Sequence, residues 1–222
     1  LTIKFWYESH NKSLKNKTFI VQGFGNVGYW AAHFLEQEGA KMVGVQDAYG
    51  SIQNPKGIKV EDLFNYTKAN KGSLIDFPEA HQVEKDDFFS LECDICIPAA
   101  LGNQITENNA YLIKAPLIAE GANGPTNVEG EKVLLQRGVT IIPDILCNSG
   151  GVIASYFEWL QNRNGELWQM EEVIDKLEKK MKHSFVRVSD YAKKEGLDMR
   201  TAAYCIAIAR IEKAYIQRGI FP

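Results

Sequence analysis

Apolar and polar positions along the chain change their period several times, and each change marks an element. Residues 18–22 (Thr-Phe-Ile-Val-Gln) are a short β-prone run, and glycines follow at once. Beyond them Val27, Ala31, Phe34 and Leu35 recur at i, i+4, i+7 and i+8, which predicts a helix with one apolar face. Gly39 stands where a helix C-terminal glycine belongs, and 41–46 read as a second strand. Strand, helix and strand within about thirty residues is the length of a βαβ unit.

The alternation continues. The pattern predicts a helix over 60–70, a strand over 94–98, a short helix over 106–114 and a strand over 117–120. Thr126 and Glu129 have the spacing of a capping box that opens a helix running to Gln136. Residues 140–142 are a β-branched strand closed by Pro143. Strands alternating with helices imply a mostly parallel, doubly wound α/β sheet with helices on both faces. After Asn148 the strands stop. Residues 152–161 read as helix, and Met170, Val173, Ile174, Leu177, Met181, Phe185 and Val188 form a long amphipathic stripe. Asp198 is placed to cap a final helix through Ala202 to Gln217. Residues 1–17 have no clear period and read as a lead-in.

Composition narrows the function classes. Hydrophobic residues at 45% and charged residues at 24% are ordinary globular values, and 222 residues suit one large α/β domain. A net charge of −3 with both signs interspersed gives no surface for tracking polyphosphate, so nucleic acid is not expected as a partner. No apolar run reaches the roughly 20 residues of a membrane span, and no signal peptide is legible. The expected location is intracellular, hence cytoplasmic, or the mitochondrial matrix in a eukaryote. Cys93 and Cys96 are formally C-x-x-C, but a strand points residues three apart to opposite faces. Buried structural thiols are the expectation, with no metal.

Gly23, Gly25 and Gly28 form a G-x-G-x-x-G string between a predicted strand and a predicted helix, the context that gives the string meaning. Such glycines permit a tight turn, close approach of a pyrophosphate, and close helix–strand packing. The free N–H groups of the helix start, in the positive end of its dipole, then face phosphate. Asp47 closes the second strand at close to the ~20-residue separation of an acid that binds the adenosine ribose. A carboxylate there accepts from ribose hydroxyls and repels a 2′-phosphate. No lysine or arginine follows until Lys56, so NAD is favoured as cofactor and NADP is not excluded.

The run Gln22-Gly-Phe-Gly-Asn-Val-Gly28 resembles the cofactor loop of glutamate dehydrogenases. The resemblance continues through Ile97-Pro-Ala-Ala100 and Ala119-Glu-Gly-Ala-Asn-Gly-Pro-Thr126. It extends over Pro143-Asp144, Asn148-Ser-Gly-Gly-Val152 and Ser155-Tyr-Phe-Glu-Trp-Leu160 to Arg200-Thr-Ala-Ala-Tyr204. These segments keep the family's order from about Lys17 onward. The implied fold is Rossmann-like over 18–222, with 148–222 helical and partly facing a substrate cleft, and 1–17 leading in from a separate substrate domain.

The resemblance also implies roles. Gly23, Gly25, Asn26 and Val27 would hold the pyrophosphate, with Gly28 closing the turn and Asp47 taking the ribose. Ala99 and Ala100 would line the dinucleotide groove. Asn123 and Asn148 would meet the nicotinamide end or the substrate, and Val152 and Ser155 the amino acid. Asn148, Val152 and Ser155 stand at i, i+4 and i+7, which one helix would show on one face. The implied reaction is reversible oxidative deamination of L-glutamate to 2-oxoglutarate and ammonia, in a homohexameric parent. The catalytic lysine and aspartate belong to the other domain of such enzymes, so no catalytic residue is assigned here and the chain alone is expected not to turn over. A leucine, phenylalanine or valine dehydrogenase shares this architecture. A non-enzymatic dinucleotide-binding module is the reading from another class.

Overall fold

Short β-branched runs joined by helices can bury both faces of a sheet only if the helices return on alternate sides. In the computed structural model, which describes residues 1–219, seven strands among the described residues do form one sheet. They are β1 (Thr18–Gln22), β2 (Lys41–Gln46), β3 (Ser51–Ile58), β4 (His81–Val83), β5 (Ile95–Pro98), β6 (Leu117–Ala119) and β7 (Thr140–Ile142). Their order is β4-β3-β2-β1-β5-β6-β7. Neighbours from β2 to β7 pair in parallel, whereas β3 and β4 add an antiparallel edge. The helices are α1 (Thr2–Ser9), α2 (Asn26–Gln37), α3 (Val60–Ala69), α4 (Val128–Gln136), α5 (Asp144–Cys147), α6 (Gly150–Asn164), α7 (Met170–Glu195) and α8 (Met199–Arg218).

The period-2 alternation of the strands divides the core in two. Phe19, Val21, Ile95, Ile97, Leu117, Ala119 and Ile142 face one layer, shared with Ala32 and Leu35 of α2 and Met181 and Phe185 of α7. Ile20, Cys96, Ile118 and Ile141 face the other, shared with Leu134 of α4 and with Phe88 and Phe89. In β2 the parity breaks, since Met42 and Val45 share the first layer while Val43 lies in the second. A register shift pairs Phe19 with Met42 but Ile20 with Gly44, so one residue is extra. Gly44 sits at this bulge, and a Cβ there would lie 2.7 Å from Leu91 Cδ1 and 3.1 Å from Ile20 Cγ2.

Several expectations are corrected. Residues 1–17 are not merely a lead-in: α1 buries Ile3, Phe5 and Tyr7, and the Phe5 ring lies 6.0 Å from that of Phe185 on α7. Its period was hidden because eight residues are little more than two turns. The buried face of α2 is Gly28, Tyr29, Ala32 and Leu35, whereas Val27 and Phe34 of the predicted stripe are exposed. Rotation by one position follows from Gly28, where a Cβ would fall 1.8 Å from the Gly23 carbonyl oxygen and 3.0 Å from Val21 Cγ1. The helix expected over 106–114 is only the 3₁₀ turn Ala110–Leu112. There Asn109 accepts from Thr106 N–H and donates to the Gln104 carbonyl, giving the backbone a local alternative to helix. Helix α4 is capped by Asn127, which accepts from Gly130 N–H, since Thr126 is still extended in a bridge to Ile105. Strand β3 went unread because Pro55 and Gly57 break its pattern. Both fall in a stretch looped out between the pairings Gly44↔Gln53 and Met42↔Ile58.

Candidate functional site

From β1 the chain winds outward to β2, then crosses back to β5 on the other side of β1. This reversal opens a crevice at the strand C-termini, where doubly wound sheets bind ligands. Gly23 leaves β1 with φ +90°, and a Cβ on it would lie 2.8 Å from the Ala99 carbonyl and the Ala100 backbone. Its N–H donates to the Gln46 carbonyl at 2.6 Å, tying the turn to β2. Gly28 is buried, and a Cβ there would fall 1.8 Å from the Gly23 carbonyl oxygen. Around Gly25, by contrast, a Cβ would meet nothing within 4 Å. One glycine makes the turn, one seats the helix, and the middle one is open toward the crevice.

Gly25 is also the N-cap of α2, with no side-chain cap and no acidic residue in the first turn. Tyr29 N–H is the first to bond back, to the Gly25 carbonyl at 2.9 Å. The N–H groups of Asn26, Val27 and Gly28 therefore have no intrahelical partner and point out of the helix start. Residues 25–27 are exposed. Helix dipole, free donors and a missing side chain coincide at one spot, which suits an anion.

Asp47 lies at the end of β2, half-buried. Its Oδ1 accepts from Tyr49 N–H at 2.7 Å and Gly50 N–H at 2.9 Å, and its Oδ2 from Leu74 N–H at 3.2 Å. The carboxylate thus shapes the β2–β3 turn, and a carboxylate's roughly four lone-pair sites leave room for about one more donor. Lys85 donates to the Ala48 carbonyl at 2.6 Å. A cation therefore stands beside the turn, which reading forward to Lys56 missed because the contact spans 37 positions. Beneath lies a chain of amides: Gln22 donates to Gln46 at 2.9 Å, and Gln46 to Ser51 at 2.7 Å.

The other wall comes from β5, β6 and β7. Ala99 follows β5 and donates its N–H to the Gln22 carbonyl at 2.7 Å, while Ala100 is exposed beside the Gly23 turn. Gly121 follows β6, and a Cβ on it would lie 3.2 Å from both Ala99 Cβ and Val27 Cγ1. Small residues thus keep the groove open. Asn148 Nδ2 donates to Asn123 Oδ1 at 2.7 Å, joining the loops after β6 and β7. Asn148 (φ −98°, ψ 4°) is the C-cap of α5, and α6 starts only at Gly150. The single helix expected to carry Asn148, Val152 and Ser155 is thus two helices. Asn148 turns back to Asn123 because the break lets it satisfy that loop. Val152, 75% exposed, and Ser155 lie on the open surface of α6.

Behind these loops Arg200, in the first turn of α8, makes a partly buried ionic cluster. Nη2 donates to Glu120 Oε2 at 2.7 Å, Nη1 to Asp144 Oδ1 at 2.9 Å, and Nε to both Glu131 oxygens at 2.8 and 2.9 Å. Burial pushes the Glu120 carboxyl above its usual range despite the adjacent guanidinium. Burial also works against the charge on Arg200, but the surrounding carboxylates outweigh it and hold the guanidinium more firmly protonated. Elsewhere, burial pushes the Cys93 thiol up to about 12 and Cys96 well above its ordinary value, and both are free. Among the described residues no group of three or more His, Cys, Asp or Glu converges as a metal site requires, and no helix is long and apolar enough to cross a membrane.

A parallel doubly wound sheet with a three-glycine turn at its switch point makes this a Rossmann-like α/β protein. The chain belongs to the Glutamate/Leucine/Phenylalanine/Valine dehydrogenase family, whose sequence model matches residues 2–219. It is 45% identical to the glutamate dehydrogenase of Thermotoga maritima over 209 residues, which are 94% of this chain and 50% of that protein. An NAD-specific glutamate dehydrogenase of Staphylococcus aureus is 41% identical over the same shares. The fold superposes on the hetero-hexameric glutamate dehydrogenase of Thermus thermophilus, in a leucine-bound form, with TM-score 0.93 and 30% identity, covering 100% of this chain and 52% of that one. L-tryptophan dehydrogenase from Nostoc punctiforme gives TM-score 0.70 at 26% identity, covering 95% and 56%. The chain spans about half the length of the relatives it matches.

Proposed function

We propose that this chain is the cofactor-binding half of an NAD-dependent glutamate dehydrogenase, acting on L-glutamate and 2-oxoglutarate together with a separate substrate domain. The observation that carries the reading is the open Gly25 position at the bare start of α2. There Gly23, Gly25, Asn26 and Val27 would present backbone donors to a pyrophosphate, and Gly28 would seat the helix that aims them. Asp47 would accept from the adenosine ribose with its remaining lone pair. Lys85, close by, is the reason NADP stays possible. When bound, the nicotinamide supplies the hydride acceptor for oxidation of the amino acid.

Everything else falls to the residues of this chain. Ala99, Ala100 and Gly121 keep the groove wide enough for a flat ring by having little or no side chain. Asn123 and Asn148 would orient the carboxamide end, since each amide has both donor and acceptor to offer. Val152 and Ser155, exposed on α6, would form the near wall of the amino-acid site, Ser155 donating to the distal carboxylate. The lysine and aspartate of the chemistry would belong to the other domain, so turnover would need both walls of the cleft. Assembly would follow the hexameric pattern named for the Thermus relative.

Glutamate is preferred over leucine, phenylalanine, valine or tryptophan because both sequence relatives and the fold that superposes at TM-score 0.93 carry that name, whereas the tryptophan dehydrogenase superposes at 0.70. Calorimetry with NADH, and an assay with glutamate plus NAD, test the reading. NADH binding without turnover is expected of this chain. Turnover by the pure chain, or no binding of NADH, would overturn it. Competition between glutamate and the aliphatic or aromatic amino acids on the two-domain protein decides the substrate.

A further inference from the structure

Asn123 and Asn148 come from different loops and meet at 2.7 Å, and Asn148 Nδ2 also lies 3.4 Å from the Gly121 and Ala122 carbonyls. What spans both loops lies behind them. We infer that Arg200 is a positioning residue that sets the nicotinamide end of the groove by clamping the loops after β6 and β7 together. This rests on the cofactor reading above and names the device that shapes that site.

The geometry runs in steps from α8 to the groove. Asp198 caps α8 by accepting from Thr201 N–H at 2.8 Å, which fixes the first turn and aims Arg200 inward. The guanidinium reaches Glu120, at the head of the loop that carries Asn123, and Asp144, at the head of the segment that ends at Asn148. Glu120 Oε2 also accepts Asp144 N–H at 2.9 Å, so the two heads are already in contact. Asp144 Oδ2 in turn accepts Gly124 N–H at 2.8 Å, locking the residue next to Asn123. The third arm, to Glu131 on α4, anchors the fork from outside.

The charges give the clamp its direction. Glu120 is 0% exposed. With Arg200 in place, one guanidinium faces the three carboxylates of Glu120, Asp144 and Glu131. Remove it, and Glu120 is left buried beside Asp144 without its cation, so the junction must either carry the repulsion of two carboxylates or take up a proton. A buried pair that loses one partner suffers more than a pair that was never charged. The loops would then part, and Asn123 with them, while the glycine turn, at the end of β1, and Asp47, at the end of β2, would stay.

The experiment compares two ligands on this chain: NADH, and ADP-ribose, which has the adenosine and pyrophosphate but no nicotinamide. Arg200→Gln should weaken NADH on the order of tenfold, the usual scale for losing a supporting partner, and leave ADP-ribose within about twofold of wild type. Intact ADP-ribose binding also shows that the variant is folded. Arg200→Gln combined with Glu120→Gln removes the repulsion and should recover most of the NADH affinity. Unchanged NADH affinity in the single variant overturns the proposal. So does an equal loss of both ligands, or a failure of both variants to fold, which would make Arg200 a scaffold residue. A wild-type chain that binds NADH no tighter than ADP-ribose removes Asn123 and Asn148 from the nicotinamide and overturns the clamp while the cofactor reading stands. Binding of neither ligand sinks that reading itself.

Discussion

Adding one methyl group at two of the glycines separates binding from folding. At Gly28 a Cβ would fall 1.8 Å from the Gly23 carbonyl oxygen, whereas a comfortable carbon–oxygen contact is about 3.3 Å. Backbone faces backbone, so no side chain can swing away and α2 must retreat from β1 by roughly 1.5 Å. Its packing of Ala32 and Leu35 against Phe19 and Val21 would loosen together. Overpacking of this kind costs typically about 1–3 kcal/mol, and this case belongs at the upper end. For a chain of this size about 3 kcal/mol is about 6–12 °C in Tm. At Gly25 the added methyl meets nothing within 4 Å, and φ −81° with ψ −162° is open to alanine. The poorer N-cap is offset by the lower entropy of the unfolded chain, about 0.4–1 kcal/mol. Gly25→Ala should therefore keep its Tm within about 2 °C while losing at least about tenfold in NADH affinity, since the methyl stands where phosphate must approach the N–H groups. Differential scanning calorimetry and NADH titration of both variants give the four numbers. Wild-type affinity in Gly25→Ala would refute the phosphate site. An unshifted Tm in Gly28→Ala would refute the packing argument.

Three further outcomes are expected. Asp47→Ser should lower the NAD-to-NADP affinity ratio by about tenfold, with a drop in stability because one hydroxyl cannot replace the acceptors of Tyr49, Gly50 and Leu74; an unchanged ratio removes Asp47 from the ribose site. In the two-domain enzyme, Ser155→Ala should reduce kcat/KM for glutamate roughly ten- to a hundredfold and raise relative activity on norvaline, equal losses on both making Ser155 a packing residue. Burial raises the Asp94 carboxyl, but Lys17 and the Thr18 N–H and hydroxyl outweigh it and leave it below the ordinary value. Its contribution is therefore present above the unfolded carboxylate range and lost as pH falls through the lower folded value. Asp94→Asn should cost roughly 1 kcal/mol at pH 7, discounted for partial exposure, and progressively less as pH falls below the ordinary carboxylate range; a difference from wild type that does not shrink in acid would sink the idea.

Sequence alone determined what repeats locally. The parallel strands, their order of appearance, the helix at 128–136 and the capped start of α8 follow from periods and caps that each depend on a few neighbouring residues. The three glycines were legible because their spacing is short and each is required by backbone geometry rather than by a distant partner. Tertiary structure decided whatever depends on which elements meet. Residues 51–58 lack a strand pattern and become one because β2 presents a free edge. Helix α1 has too few turns to show a stripe and is held by Phe185 on α7. Lys85 reaches the Asp47 turn across 37 positions, and Arg200 joins Glu120 across 80. No period along a chain encodes such pairs, because the charges find one another only after the sheet has set the distance between its loops.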